Sequence, residues 1–479
     1  MNVKYNIIFL ELEMDDISVI DLFSGAGGLT EGFVREGFKI AVHVEKEKWA
    51  CETLKTRICY HYLKQNKDIG TYMEYLNKSI NWRSIDQDRN IIFQRYPELE
   101  ERLDREVINK AFGNPANDPG TTSSAEIIQL IEKALITGGY QSPKVIIGGP
   151  PCQAYSLIGR GRMGYAAKRD KRNFLFHYYK NIVKNFNPDV FIFENVPGIL
   201  NARDGKVFPT IQEEFDKVGY TLLSGRNQDH SMNIQDARDF GVYQTRKRMV
   251  LFGYRSELNL QYPDLLNNSI FKPDKNMTTW DVISDLPALQ PGEGNDLKPI
   301  SYLAGQNVKL SKYQKIMRSN DDIGFVNHMA RKHREVDREI YKIAINLAQH
   351  GEQLKYKDLP DKLKTHYHQN DFEDRFKVHW WKVVPHTIVA HISKDGHYNI
   401  HPDISQCRSL TVREAARIQS FPDDYRFEGP RTWQFTQVGN AVPPLMAQAI
   451  AKAVRIDCFE ERKYSKCNTY FQLPISGVL

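Results

Sequence analysis

The sequence predicts an α/β protein with a mainly parallel sheet, followed by a second, smaller domain. In the first half, short β-branched or apolar runs alternate with amphipathic segments, which is the pattern of strands connected by helices. Beyond Tyr254 this alternation fades into a region rich in Asn, Asp, Lys, His and aromatic residues, and a compact apolar helix returns only at residues 443–454. The change in pattern predicts a domain boundary near residue 255.

The elements of the first domain follow from its apolar periodicity and its turn residues. Strands are predicted at residues 17–23, 40–44, 144–147, 190–193 and 249–252, and helices at 29–36, 48–60 and 173–186. A polar, helix-prone stretch, residues 70–142, is predicted to be an insertion because a Gly/Pro/Asn/Asp cluster interrupts it. The predicted domains are a tail (1–16), the first domain (17–255), the smaller domain (256–430), a returning C-terminal helix (431–460) and a second tail (461–479).

Composition excludes several classes of protein. No segment approaches the roughly 18 consecutive apolar residues of a membrane span, and the N-terminus lacks the pattern of a signal peptide, so a cytoplasmic location is expected. The six cysteines form no C-x-x-C pair, which predicts neither a disulfide framework nor a metal site. Residues 309–382 carry sixteen Lys and Arg against eleven Asp and Glu, which indicates either a phosphate-facing surface or a solvated face.

A glycine-rich turn at residues 21–28 follows the first predicted strand and opens a helix. Such a turn lets a ligand approach the backbone closely, which suits a nucleoside-type cofactor, although a plain structural turn or a dinucleotide site is also compatible with it. The next strand ends at Glu45, whose carboxylate can accept hydrogen bonds from ribose hydroxyls.

A cysteine on a Gly-Pro turn is the strongest chemical signal. Residues 148–156 read Gly-Gly-Pro-Pro-Cys-Gln-Ala-Tyr-Ser and directly follow a predicted buried strand, so Cys152 should lie at the carboxyl edge of the sheet, where open α/β sheets bind ligands. The next strand ends at Glu194, which places a carboxyl group at the same edge. A thiol beside a carboxyl group forms a nucleophile and acid pair rather than a metal site.

A third strand is entered through Arg246 and Arg248, and alternate residues of an extended segment point to one face. These arginines are predicted to orient the carboxyl group of Glu194, to lower the pKa of the Cys152 thiol and to hold a phosphate.

Taken together, these segments resemble the cytosine-5 DNA methyltransferase family, in particular its prokaryotic restriction-modification members. The order of the blocks is the same, and residues 408–422 and 437–444 resemble the last two blocks of the family. The resemblance implies a Rossmann-like domain that binds S-adenosylmethionine, together with a smaller target-recognition domain.

The resemblance also implies roles for individual residues. The cofactor would be held by residues from several separate segments of the chain: Phe23, Gly25, Gly27, Gly28, Glu45, Pro151 and Asn440. Two departures from the family pattern are Lys46, where an aromatic or apolar residue is common, and the acidic residue that contacts adenine, for which Asp68 and Glu126 compete.

In the implied reaction, Cys152 adds to carbon 6 of a flipped-out cytosine while Glu194 protonates ring nitrogen 3. Arg246 would help to anchor the base and its phosphate, with Arg248 beside it. The loop after the cysteine would close on the DNA through three further side chains: Ser156, Arg160 and Arg162.

The basic region between about 255 and 400 would recognise the target sequence in duplex DNA. Candidates for contacts are Trp380, Trp381, Arg331, Arg334, Arg338 and six histidines from His328 to His379, although tryptophans in a small domain are more often core than interface. A monomer is expected, with a restriction endonuclease as a possible, separately acting partner.

Three alternatives share some of these features. A tRNA cytosine-5 methyltransferase has the same catalytic blocks, but we find no Cys-Phe-Thr element in the middle region. A catalytically silent DNA-binding regulator is disfavoured by the intact Cys152 and Glu194. An oxidoreductase of the NAD type would leave the Pro-Pro-Cys turn and the last two blocks unexplained.

Overall fold

A central sheet organises the first half of the chain. The computed structural model describes residues 17–79, 81–150, 175–202, 204–223, 233–269, 271, 274, 276–302, 309–318, 323–364 and 373–460. Within these residues the sheet has eight strands. They are β1 (Ser18–Leu22), β2 (Lys39–Glu45), β3 (Val107–Asn109), β4 (Val145–Gly148), β5 (Val190–Asn195), β6 (Tyr220–Leu223), β7 (Ile234–Asp236) and β8 (Lys247–Arg255).

The strand order is β3-β2-β1-β4-β5-β8-β6, and β7 pairs with β8. Neighbours from β3 to β5 are parallel, whereas β8 runs antiparallel to β5, β6 and β7. The predicted α/β class with a mainly parallel sheet is therefore confirmed. Because β8 is antiparallel to β5, its N-terminal end lies at the same sheet edge as the carboxyl ends of β1, β2, β4 and β5.

Helices cover both faces of the sheet. The helices of the first half are α1 (Gly28–Arg35), α2 (Lys48–Gln65), α3 (Ile69–Lys78), α4 (Ile85–Arg95), α5 (Glu98–Glu106), α6 (Ser124–Thr137), α7 (Leu175–Phe186) and α8 (Val207–Asp216). Side chains of α6, α7 and α8 pack with Ile20 and Ile146 on one face. The opposite face, with Val19 and Ile147, packs against α1 and against segments from the second half of the chain.

The second half contains shorter elements. They are α9 (Trp280–Ile283), the paired strands β9 (Gly294–Asn295) and β10 (His328–Met329), α10 (Lys312–Met317), α11 (Glu335–Gln349), the 3-10 helix Ala390–Ser393, α12 (Val412–Ile418), α13 (Arg431–Asn440), α14 (Pro444–Ala453) and a π-helical turn, Val454–Glu460. In the part of the chain that the structure describes, no helix is long and apolar enough to cross a membrane.

The predicted insertion, residues 70–142, is only partly an insertion. Helices α3, α4 and α5 form a separate layer with its own apolar cluster around Tyr72, Leu76 and Leu99. In contrast, β3 pairs in parallel with β2, and α6 packs on the sheet, so both belong to the sheet domain. The prediction placed them outside the sheet domain because a strand of only three residues gives almost no periodic signal.

The predicted boundary at residue 431 is also displaced. A separate apolar cluster of the second half is built by α11 with Tyr356, Phe376 and Ile400. Residues 410–427, however, contribute to the same core as β1, β4 and α1. The core of the sheet domain therefore includes residues that were predicted to belong to the smaller domain.

The C-terminal helix packs onto α1 of the first domain. Leu445 and Met446 of α14 share a core with Leu29 and Phe33 of α1. At the end of α1, Glu36 accepts a hydrogen bond from Gln448 Nε2 at 2.9 Å. Helices α1 and α14, which are far apart in the sequence, therefore pack together in one core.

Candidate active site at the carboxyl edge of the sheet

The glycine-rich turn after β1 is tied to the end of β2. Phe23 has a φ of 55° and donates its backbone N–H to the carbonyl of Val44 at 2.8 Å. Gly25, with a φ of 54°, donates its N–H to Glu45 Oε2 at 2.9 Å. The turn and the acidic residue that sequence reasoning paired therefore lie in direct contact.

Glu45 is buried, and its carboxylate is held by backbone amides. Oε1 accepts hydrogen bonds from the N–H groups of Lys46 at 2.9 Å and Glu47 at 2.8 Å. Burial raises the pKa of Glu45, and the amides of Glu47, Gly25 and Lys46 oppose that rise. A carboxylate can accept about four hydrogen bonds, and the described residues supply three, so one position suits a ribose hydroxyl.

A space for a ligand adjoins this carboxylate. A Cβ built on Gly25 would meet no atom of the described residues within 4 Å. The ring of Phe23 borders the same turn and packs on Phe112 with a centroid separation of 5.1 Å. An open glycine turn, an aromatic wall and a hydrogen-bond acceptor fit the nucleoside part of S-adenosylmethionine.

Sequence reasoning missed Asn109 and Phe112. Asn109 pairs in register with Glu45 at the carboxyl end of β3, and its Nδ2 donates to the Glu45 carbonyl at 2.9 Å. Both residues lie in the stretch that was predicted to be an insertion. The only available signal was the short β-branched run at residues 107–108.

The two residues that competed for the adenine contact have other partners. Asp68 caps α3 and accepts hydrogen bonds from the backbone and hydroxyl of Thr71 and from Tyr96 Oη. Glu126 is exposed on α6, and its carboxylate lies 3.8 Å from Lys110 Nζ. Asn109, by contrast, lies on β3, the strand that pairs with β2.

The loop after α13 lies on the glycine turn. A Cβ on Gly28 would lie 2.2 Å from the carbonyl oxygen of Val442, so only glycine permits this approach. Asn440 is exposed at the end of α13, two residues before that contact. Gly27, the residue before α1, has a φ of 81° and accepts the first helical hydrogen bond from Glu31.

Glu194 and Arg248 form an ion pair at the carboxyl end of β5. Arg248 Nε lies 2.9 Å from Glu194 Oε1, and the two side chains are only 13% and 12% exposed. Burial raises the pKa of Glu194, while Arg248 and then Arg246 act to lower it. A carboxyl group whose pKa is raised retains its proton to higher pH, which suits a proton donor.

The turn that leads to the cysteine is fixed beside this pair. A Cβ on Gly149 would lie 2.7 Å from Glu194 Oε2, and Asn195 Nδ2 donates to the Pro150 carbonyl at 3.3 Å. The remaining predicted site residues of this segment lie outside the described residues: Pro151, Cys152, Ser156, Arg160 and Arg162. The described part of the turn therefore ends next to the carboxyl group of Glu194, two residues before the cysteine.

Arg246 was predicted to anchor the base and its phosphate, but in the structure its side chain contacts other parts of the protein. Its side chain is fully buried, and its guanidinium donates to the carbonyls of Ile388 at 2.7 Å, Gly439 at 3.2 Å and Ala441 at 2.9 Å. It therefore joins β8 to the loop that carries Asn440. The prediction placed Arg246 and Arg248 on the same face because alternate residues of an extended segment point to one side. Arg246, however, precedes the first residue of β8, so the alternation of the strand does not determine its orientation.

Several of the described residues that were predicted to contact DNA from the second half are packed inside the protein, whereas Arg334 and His350 are exposed, and His366 and His368 lie outside the described residues. Trp381 packs edge-on against Trp280 with ring centroids 5.1 Å apart, and Trp380 borders the apolar cluster of α11. His328 and His379 are fully buried, and Arg331 is 8% exposed. The alternative that the tryptophans form a core is the one that fits these contacts.

Among the described residues no group of three or more His, Cys, Asp and Glu side chains could hold a metal ion. The described residues offer an acid, an arginine and an open glycine turn at one sheet edge.

Comparison with known proteins agrees with this arrangement. The model of the C-5 cytosine-specific DNA methylase family matches residues 17–81 and 116–455. The unmatched residues between them cover α4, α5 and β3. The chain is 59% identical over 438 residues to the type II methyltransferase M.Bpa9945I of Bacillus paralicheniformis, covering 91% of this chain and 98% of that protein.

A second relative is the type II methyltransferase M.DdeI of Desulfomicrobium norvegicum, 30% identical with 91% of this chain and 88% of that protein covered. Among solved structures, a candidate DNA modification methyltransferase encoded within an E. coli prophage superimposes with a TM-score of 0.56 at 21% identity. The match covers 92% of this chain and 99% of that one. This last likeness concerns the fold alone.

Proposed function

The chain belongs to the C-5 cytosine-specific DNA methylase family and is a DNA cytosine-5 methyltransferase, and we propose that Cys152 and Glu194 carry its chemistry. The observation that supports these roles most directly is the buried Glu194–Arg248 pair, against which the Gly149–Pro150 turn is held.

Carbon 5 of cytosine is a weak nucleophile, so the ring must first be activated. The Cys152 thiolate forms a bond to carbon 6, and the electron pair of the 5,6 double bond shifts toward carbon 5 and ring nitrogen 3. The proton of Glu194 passes to nitrogen 3, which removes the charge that develops there. A stacked base offers no access to its face, so the cytosine is flipped out of the duplex at a cost of a few kcal/mol.

S-adenosylmethionine, when bound, supplies a methyl group on a sulfonium for attack by carbon 5. The proton on carbon 5 is then lost to a base, and the bond between sulfur and carbon 6 breaks, which releases Cys152 as thiolate. Nitrogen 3 returns its proton to Glu194, and the aromatic ring is restored. Arg248 keeps the carboxyl group of Glu194 oriented toward the base throughout.

In the same proposal, the cofactor binds at the glycine-rich turn after β1 and at the carboxyl end of β2. Glu45 accepts a hydrogen bond from a ribose hydroxyl, and Phe23 and Phe112 line the adenine base. Gly25, Gly27 and Gly28 let the cofactor approach the backbone closely. Asn440 closes the pocket from the other end of the chain, while Arg246 acts as a positioning residue that holds the Asn440 loop in place. Pro151 completes the cofactor wall, and Ser156, Arg160 and Arg162 contact the DNA.

The relatives named as type II methyltransferases support a place in a restriction-modification system. The enzyme would methylate a specific duplex sequence as a single chain, and a restriction endonuclease that reads the same sequence would act separately.

Bisulfite sequencing of DNA from cells that express the chain tests this function. We expect conversion-resistant cytosines at one recurring short sequence, absent from cells that express Cys152→Ala. Resistance at no site, or equal resistance with the variant, would contradict the proposal.

A further inference from the structure

A positively charged cavity lies away from the active site, at the N-terminal end of α13. Its volume is about 350 Å³, and it opens to solvent. The cations that line it are Arg331, Lys332, Arg334, Lys394 and Arg431, and Thr432 adds a hydroxyl group. Two acids, Asp337 and Asp395, also line it, which leaves an excess of positive charge.

Both acids already have partners. Asp337 receives two hydrogen bonds of 3.0 Å from the guanidinium of Arg334, and Asp395 Oδ1 accepts the backbone N–H of His397 at 2.9 Å. Arg331 is occupied as well, since it donates to the carbonyls of Ile392 at 2.5 Å and Lys394 at 3.2 Å.

Two lysine ammonium groups remain available to bind a ligand. Lys332 and Lys394 are exposed, and in the part of the chain that the structure describes neither side chain has an ion-pair partner. Arg431 donates only one hydrogen bond, from NH1 to the Ala330 carbonyl at 3.3 Å, so its second amino group is also open among the described residues. The cavity therefore presents several donors without an acceptor, which is the chemistry that binds an anion.

The position of the cavity relates it to the active site. Helix α13 has ten residues and so spans about 15 Å, with the cavity at its first residue and Asn440 at its last. Thr432, Trp433 and Asn440 are exposed along the helix, so solvent reaches both of its ends. Because duplex DNA rises about 3.4 Å per base pair, this length corresponds to roughly four base pairs.

We infer that this cavity binds a backbone phosphate of the substrate DNA a few base pairs from the flipped cytosine. The inference rests on the DNA methyltransferase function stated above. It adds a contact with the DNA backbone, which does not depend on the base sequence. Lys332, Lys394 and Arg431 fix the duplex, while the sequence is read elsewhere.

The test compares Lys332→Gln/Lys394→Gln with the wild-type chain in equilibrium binding to two duplexes, one with the methylated site and one without it. We expect about tenfold weaker binding to both duplexes at fixed moderate salt. The slope of log K against log salt should become shallower by about one to two, because fewer counterions are released. At saturating DNA, kcat should be unchanged.

A matched control is Lys133→Gln/Lys184→Gln, which removes the same charge from exposed positions of α6 and α7. A wild-type slope in the cavity variant, a loss of affinity confined to one duplex, or an equal change in the control would overturn the inference. If the wild-type chain methylates duplex DNA, any of these outcomes counts against the cavity alone. Absence of methylation by the wild-type chain would instead overturn the function itself, and the inference with it.

Discussion

Arg248 Nε lies 2.9 Å from Glu194 Oε1, and this contact joins the antiparallel strand β8 to the carboxyl end of β5. The two residues come from distant parts of the sequence and meet because β8 enters the sheet from the edge at which β5 ends. The ion pair is shielded from solvent, so its electrostatic effect on the acid is larger than that of a surface pair.

Replacement of Arg248 by Gln should raise the pKa of Glu194 further, because burial then acts without its main opposing charge. An acid must be protonated to donate, so the pH above which methyl transfer declines should move upward. We also expect a loss of roughly a hundredfold in the single-turnover rate, because the carboxyl group loses its orienting partner. The measurement is the pH profile of single-turnover methylation, with the exposed Lys247→Gln as control. An unchanged profile would show that Arg248 does not tune the acid.

Replacement of Arg246 by Lys should destabilise the protein and weaken cofactor binding. A lysine keeps the charge but cannot donate at once to the carbonyls of Ile388, Gly439 and Ala441. Leaving such buried carbonyls without a donor costs about 2–4 kcal/mol of unfolding free energy in total. Chemical denaturation and calorimetric titration of S-adenosylmethionine measure the two effects. Stability and cofactor affinity equal to those of the wild type would contradict the positioning role.

Addition of a methyl group at Gly25 should impair cofactor binding selectively. Gly25 and Gly37 both have positive φ, 54° and 85°, and a Cβ on either would meet no described atom within 4 Å. Gly25→Ala and Gly37→Ala therefore carry a comparable backbone cost of about 1 kcal/mol. Only Gly25→Ala should raise the KM for S-adenosylmethionine, by roughly tenfold or more. Equal KM values for the two variants would place the cofactor elsewhere.

Acid should destabilise the protein through the buried Glu414. Burial acts to raise its pKa, but Arg408 together with His401 and His328 outweighs burial and holds the pKa of Glu414 well below its usual range. Arg408 NH1 and NH2 lie 2.8 and 2.7 Å from its two oxygens. A depressed folded-state pKa contributes stability that is complete above the unfolded-state value of about 4.3 and is lost as the pH falls.

Glu414→Gln should therefore lower the unfolding free energy at neutral pH by about 3–5 kcal/mol and weaken its dependence on acid pH. Denaturation curves between neutral and acid pH measure both effects. The exposed Glu335→Gln, whose partner is Arg338, is the matched control and should be close to the wild type. A Glu414 variant with the stability of its control would contradict the role of this pair.

Much of the sheet could be predicted from the sequence because its strands are short apolar runs followed by turn residues. The strand ends at Glu45 and Glu194 agree with the prediction, since parallel strands bring their carboxyl ends to one edge. The contact of Gly25 with Glu45 and that of Arg248 with Glu194 follow from this geometry.

Other features depend on contacts that no local pattern encodes. Asn109 and Phe112 were missed because β3 has only three residues and follows three additional helices. The packing of residues 410–427 into the core of the sheet domain was missed because that segment is rich in charged side chains. Arg413, for example, is fully buried and donates to the carbonyls of Val326 and Pro422, a pattern that hydrophobicity does not report.

The most direct test of the proposed chemistry is covalent trapping on a duplex that carries 5-fluorocytosine at the methylated position. Fluorine cannot leave carbon 5 as a proton does, so the bond between the cysteine sulfur and carbon 6 should persist after methyl transfer. In the presence of S-adenosylmethionine we predict a denaturation-resistant complex with the wild-type chain and none with Cys152→Ala, which should still bind DNA. Wild-type enzyme that methylates normal DNA but forms no such complex would contradict the claim that Cys152 is the nucleophile.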